Sequence, residues 1–297
     1  VTFAFMPSLR VGGASLARQA READQGQRPH VQGGSQPDKT APAPKAHHGA
    51  LRTKALPHPR GLPMKPSLPL LMSLNGGFVD TAGFLALQGL FTAHVTGNFV
   101  TFGAALVHGT SGALTKLLAL PVFCAVVMLT RWLSYALPGF GLPVLRTMLV
   151  LKTLLLAAGA ALAVRFGPFS DGDSGVAMLT GMTLVSAMAI QNAAHRIHLA
   201  SAPPTTLMTG TTTQVMIDLA DLLRGLPPED ALTARARLRR MSSSVAVFAA
   251  GCAAAALSFT LMNIWCFVIP PVLAACAVVL QHSTREGEAA GPVVVGR

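Results

Sequence analysis

Nine residues set polar or helix-loosening chemistry inside apolar surroundings: Asp80, His94, Thr96, Gly97, Asn98, Gln191, Asn192, Thr209 and Gly210. A carboxylate such as Asp80 in mid-span costs about 2.5–3.5 kcal/mol on insertion scales, so it needs a partner or an aqueous cavity. Thr96-Gly97 closes a Thr-x-x-x-Thr-Gly core that recurs 113 positions later as Thr209-Gly210. Glycine accepts backbone angles that other residues resist, and an unwound turn there would turn free N–H groups and the positive end of a helix dipole toward the midplane. The chemistry on offer is the binding of an anion, a polar solute or a carboxylate of the chain itself. Asn192 precedes Gly210 by 18 residues, much as Asp80 precedes Gly97 by 17, which places a second polar centre at Gln191-Asn192. The plainer explanation is that the Thr-Gly pairs let two helices approach closely, with hydroxyls bonded back to the backbone. His94 is either a proton-responsive group or a structural hydrogen-bonding residue. No hydrolase triad, phosphate-cradling glycine loop or metal-ligand spacing stands out, so neither enzyme activity nor a cofactor nor a metal is expected.

The elements that must position these residues are helices in lipid. Hydrophobic residues make up 51% of the chain and charged ones 12%, against about a quarter charged in soluble domains. Apolar runs at 68–90, 98–107, 114–137, 144–164, 176–194, 245–262 and 265–281 approach or exceed what a crossing helix needs, apart from the ten-residue 98–107, which suits a half-helix. Arg131 and Lys152 are expected to snorkel toward headgroups, Asp218 and Asp221 to share a helix face near Arg224, and Pro270-Pro271 to kink or split the last run. The four cysteines lie in apolar runs and read as small packed side chains.

Two topologies compete. If each Thr-Gly segment is a complete span there are about eight crossings, and if each dips in and returns there are about six. With six crossings and an inner N-terminus, most Arg and Lys residues fall inside, as the positive-inside rule prefers. Three crossings per half would leave the halves inverted, in the manner of many transporters. The fold class is therefore all-α: a polytopic helical membrane protein of about six transmembrane helices with two broken or re-entrant segments. An internal two-fold repeat relates halves at about 68–166 and 175–282, within a membrane domain of 64–285. Residues 1–63 hold nine of the 23 Lys and Arg against three of the 12 acids and no long apolar run, and read as a disordered basic extension. Met64 is a candidate start, and 286–297 reads as a short disordered tail.

Gly77-Phe78-Val79-Asp80-Thr81-Ala82-Gly83-Phe84, Thr96-Gly97-Asn98, Gln191-Asn192-Ala193 and Thr205-Thr206-Leu207-Met208-Thr209-Gly210, in this order, resemble the bacterial YoaK-like family of membrane proteins. The resemblance covers about 64–282 and implies an integral membrane protein with about six crossings. Thr81 stands where that family suggests Ala, and Thr211 breaks the symmetry with Asn98. The functional expectation is a transporter or channel for a small polar solute or ion in the bacterial inner membrane, with both termini cytoplasmic. A non-transporting scaffold is the alternative. The lipid bilayer is the expected partner, nucleic acid is not, and association into a homo-oligomer stays open.

Overall fold

Leu, Ala and Val in long runs without strand-like alternation favour helix, and every regular element among the described residues is helical. The computed structural model describes residues 67–206 and 208–289, with side chains as far as His282. The helices are α1 (Leu68–Ala86), α2 (Asn98–His108), α3 (Ala113–Ala136), α4 (Val144–Phe166), α5 (Gly175–His198), α6 (Met208–Arg224), α7 (Pro228–Met262) and α8 (Ile269–Ala289). Short 3-10 turns lie at Val95–Gly97, Leu137–Phe140 and Asn263–Val268. The expected extension at 1–63 and the residues beyond 289 lie outside the described residues, while α8 reaches Ala289 where a tail from 286 was expected.

Four stretches are long and apolar enough to cross a membrane: Ala113–Phe140, Val144–Phe166, Gly175–His198 and Pro228–His282. They mark a candidate helical membrane protein. The last stretch comprises α7 and α8, separated by the turn at Asn263–Val268. Pro270 and Pro271 therefore do not split a helix. They stand in its first turn, where a missing N–H leaves no bond unmade.

Helix α1 is largely buried among its neighbours, so its Asn75, Asp80 and glycines meet protein rather than lipid. It crosses α7 at a contact of backbone on backbone: a methyl group at Gly77 would collide with the carbonyl oxygen of Phe248, and one at Gly251 with that of Leu74. Larger residues would force the two helices apart.

Two ends of the bundle can be told apart by their hydrogen bonds. At one, Gln88 Nε2 donates to Phe169 O (3.0 Å), and Thr115 Oγ1 donates to Gly172 O (2.7 Å). Asp173 there accepts from the backbone N–H of Gly112 (3.0 Å) and Thr115 (2.9 Å). Partial burial opposes its ionisation, yet these bonds together outweigh it and hold the Asp173 carboxyl below the usual carboxylate range. At the opposite end, Ser73 and Ser244 lie 3.1 Å apart and Ser244 Oγ donates to Pro204 O (3.2 Å). Here α6 and the first part of α7 form a hairpin. Asp218, fully buried, takes two bonds from Arg237, at 2.8 Å from Nε and 2.6 Å from Nη2. The expected grouping of Asp218 with Asp221 and Arg224 gives way to this partner: Asp221 is exposed, and Arg237 comes from the next helix.

Candidate functional site

Helix α1 stops because Gln88 and Gly89 take left-handed backbone angles, with Gly89 N–H closing back onto Phe84 O. The chain then turns inward. Gln88 and Gly112 both bond to the loop between α4 and α5, while Thr92, Ala93 and His94 between them reach Asp80, nearly two turns back along α1. Residues 89–110 thus enter and leave at the same end, with α2 as the returning limb.

Asp80 is 4% exposed and organises this dip. Its Oδ1 accepts the backbone N–H groups of Thr92 (2.8 Å), Ala93 (2.6 Å) and His94 (3.4 Å), while its Oδ2 lies 2.6 Å from His94 Nδ1. Three consecutive N–H groups converge on one oxygen, the concave arrangement that backbone offers an anion, with the anion supplied by the chain itself. Asn98, 1% exposed, seals the base of the dip: its amide donates to Phe91 O and accepts from Phe91 N–H, both at 2.8 Å. This pairing occupies it, so Asn98 belongs to the scaffold of the break rather than to an open surface. Gly97 abuts the Phe91 ring, which leaves little room for a side chain there.

A second departure from helix, residues 199–206, follows α5. Gln191 Nε2 donates to Thr205 Oγ1 (3.2 Å) and to Met72 O (3.0 Å), and Thr206 Oγ1 donates to Asn192 Oδ1 (2.6 Å). His195 Nε2 lies 3.0 Å from Pro203 O. Beneath this cluster Lys152 Nζ donates to Gln191 Oε1 at 2.5 Å. Lys152 is only 1% exposed, so the expectation that it snorkels to the headgroups is wrong: α4 packs between α5 and α8, and the amine is buried against Gln191 of α5. A basic residue eight positions into an apolar run was the signal for this, and it reads equally well as snorkelling until the neighbouring helix is known.

The nine residues singled out by sequence therefore divide. Asp80, His94, Thr96, Gly97 and Asn98 come together on the first break, and Gln191 and Asn192 hold the second. Thr209 and Gly210 join neither group. They stand exposed in the first turn of α6, and a methyl at Gly210 would meet nothing.

Two cavities flank the Asp80–His94 pair. The larger, about 380 Å³, lies between the first break, α3 and α5, and is lined by His94, Thr96, Asn192, Phe123, Arg131 and Arg196 among others. The smaller, about 200 Å³, touches Asp80, Thr81, Phe84 and Phe91. Neither arginine was expected at the site, and Arg131 was expected only to snorkel, because charge at a run's end reads as interfacial until the run has a neighbour. Among the described residues no three His, Cys, Asp or Glu side chains gather as metal ligands would. What the arrangement can do is bind: it offers an imidazole, a hydroxyl, an amide and two guanidinium groups to a cavity with apolar walls.

Neither a curated protein nor a solved structure matches this chain. A family model described as a protein of unknown function (DUF1275) matches residues 68–280, and the chain belongs to that family.

Proposed function

We propose that the protein is a membrane carrier for a small polar solute or ion, with the Asp80–His94 pair and the first break at its centre. One observation carries the reading: non-helical backbone lies two turns inside the bundle, pinned to a buried carboxylate, with a cavity on either side. In hydrocarbon such backbone is tolerated only where protein buries it or where it lines a water-filled space, and carriers place their sites at broken helices. In this reading α1, α3, α4, α5, α7 and α8 cross the membrane and residues 89–110 dip in and return. An inverted repeat is supported by the order of elements: helix, break, helix, helix, 3-10 turn, helix occurs in α1–α4 and again in α5–α8. Arg131, Arg146, Arg196, Arg224 and Arg235 to Arg240 then gather at the Ser244 end, which the positive-inside rule assigns to the cytoplasm. The bacterial inner membrane rests on the YoaK-like resemblance, which is compatible with the family match.

Two experiments test the reading. Single cysteines at His108, Ser170, Ser201 and Ser242 in a cysteine-free background should label from outside at 108 and 170, and from inside at 201 and 242. Labelling of 108 and 170 from inside would end the six-crossing arrangement. Purified protein in liposomes should admit at least one solute from a panel of small organic acids, amides, sugars and inorganic ions. His94→Gln should slow it without loss of folded protein. If no solute enters faster than into protein-free liposomes, the carrier reading fails. The scaffold reading draws on a specific observation too, since Asp80 and Asn98 are fully engaged by their own chain. It expects His94→Gln to alter stability or association and no flux.

A further inference from the structure

The larger cavity has an uneven charge. No carboxylate lines it, whereas Arg131 from α3 and Arg196 from α5 both do. Neither guanidinium is in an ion pair: among the described residues the ion pairs are Asp80–His94 and Asp218–Arg237. Arg131 lies over the Tyr135 ring, 4.3 Å from its centroid, a neutral contact that orients the group and leaves its charge uncompensated. The negative group nearest the cavity is Asp80, and it stands behind the His94 imidazole with its oxygens taken by backbone N–H groups and the ring. Between the arginines and His94 the wall is apolar, formed by Leu120, Phe123, Val127 and Ile197. A volume of about 380 Å³ is near the lower end of the roughly 300–1,000 Å³ found for ligand sites, too little for a two-chain phospholipid.

We propose that this cavity binds a small organic carboxylate, its charge held between Arg131 and Arg196 and its apolar body directed along Phe123 toward His94 and Thr96. Paired guanidinium groups match a carboxylate in geometry as well as charge, which an ammonium would not. The inference names the solute class for the carrier reading; it rests on that reading for movement and stands apart from it for binding. The carboxylate has two sources, a water-soluble organic acid or a single-chain fatty acid from the membrane.

Titration calorimetry on the full chain in maltoside detergent tests this with benzoate, its uncharged isostere benzamide, and oleate. Benzoate should bind saturably, with benzamide weaker by roughly tenfold or more. Arg131→Gln and Arg196→Gln should each weaken benzoate by roughly tenfold. Both side chains are exposed, so these variants should elute as the parent does, and Arg146→Gln, an exposed cation outside the cavity, should bind as the parent. Oleate that competes with benzoate and binds far more tightly would assign the site to a membrane fatty acid, within the same carboxylate class. Equal binding of benzoate and benzamide, no binding of benzoate or oleate, or full binding by both arginine variants would overturn the inference. Benzoate binding without benzoate uptake by proteoliposomes would keep the site and remove the carrier, whereas uptake of a neutral solute without carboxylate binding would do the reverse.

Discussion

The two breaks in the helical chain solve one problem with different groups. Both leave backbone groups without helical partners inside the bundle. At the first, an acid does the work directly: Asp80 collects three N–H groups and an imidazole. At the second, amides, hydroxyls and the His195 imidazole touch the break, and the Lys152 amine stands one residue behind them through Gln191. The direct anion makes a tight nest over a few residues and leaves cavities beside it. The relayed bonds of Lys152 and Gln191 tie together α1, α4, α5 and the second break, and cavities of about 360 and 240 Å³ open beside that break as well, both lined by Ser201, Ala202 and Pro203. The difference thus lies in how each break is held, by one multivalent group at the first and by many single bonds at the second.

The largest effect should come from Asp80→Ala, which strands three buried N–H groups and His94. A loss of about 3–5 kcal/mol is expected in reversible detergent unfolding, as for other broken buried charge networks. Gln191→Ala in the same assay should cost about 1–3 kcal/mol, because each of its bonds joins neutral groups or a single amine. Equal losses would erase the distinction between the breaks. Asn98→Ala comes next, at about 2 kcal/mol, since both bonds to Phe91 vanish; Asn98→Asp should recover part of this by keeping the acceptor for Phe91 N–H. Thr206→Val removes one bond at the second break and should cost about 1 kcal/mol.

The smallest effect concerns pH. The bonds from Thr115 and Gly112 lower the carboxyl affinity of Asp173 for protons in the folded state. Its stabilisation is therefore present above the unfolded value of about 4 and is lost as pH falls through the lower folded value. Asp173→Asn should flatten that part of the acid unfolding profile and lower neutral-pH stability by the same small amount. A profile with the same acid slope in both proteins would remove Asp173 as its cause.

Much of this was legible in the sequence because hydrocarbon imposes a length and an apolar content. The runs at 114–137 and 144–164 match α3 and α4 to within two residues at each end. The first break was legible in Gly97 and Asp80, whose polarity has no place in an uninterrupted span. Partners across helices were not. Lys152 and Asp218 carried the right chemistry, but a run of residues says which face a side chain occupies and nothing of what another helix brings to it. Thr209-Gly210 misled for a related reason: the copied Thr-Gly core lies three residues beyond Thr206, on the exposed start of α6 rather than within the break. A repeated pattern fixes composition, while the position of the unwound turn depends on what caps it.

The glycine crossing of α1 and α7 bears on how such a bundle can move. Where two backbones touch at Gly77 and Gly251, the helices can pivot about the contact but cannot slide past it, because one turn away on either side Ser73 and Asp80 in α1, and Phe248 and Ala255 in α7, carry side chains. Asp80 follows Gly77 by one turn, and the Phe248 ring, on the far side of the crossing, stands edge-on to His94 at 5.4 Å. Carboxylate, imidazole and crossing therefore travel as one post. The freedom to open or close the larger cavity is left to α3 and α5, the walls that turn around it.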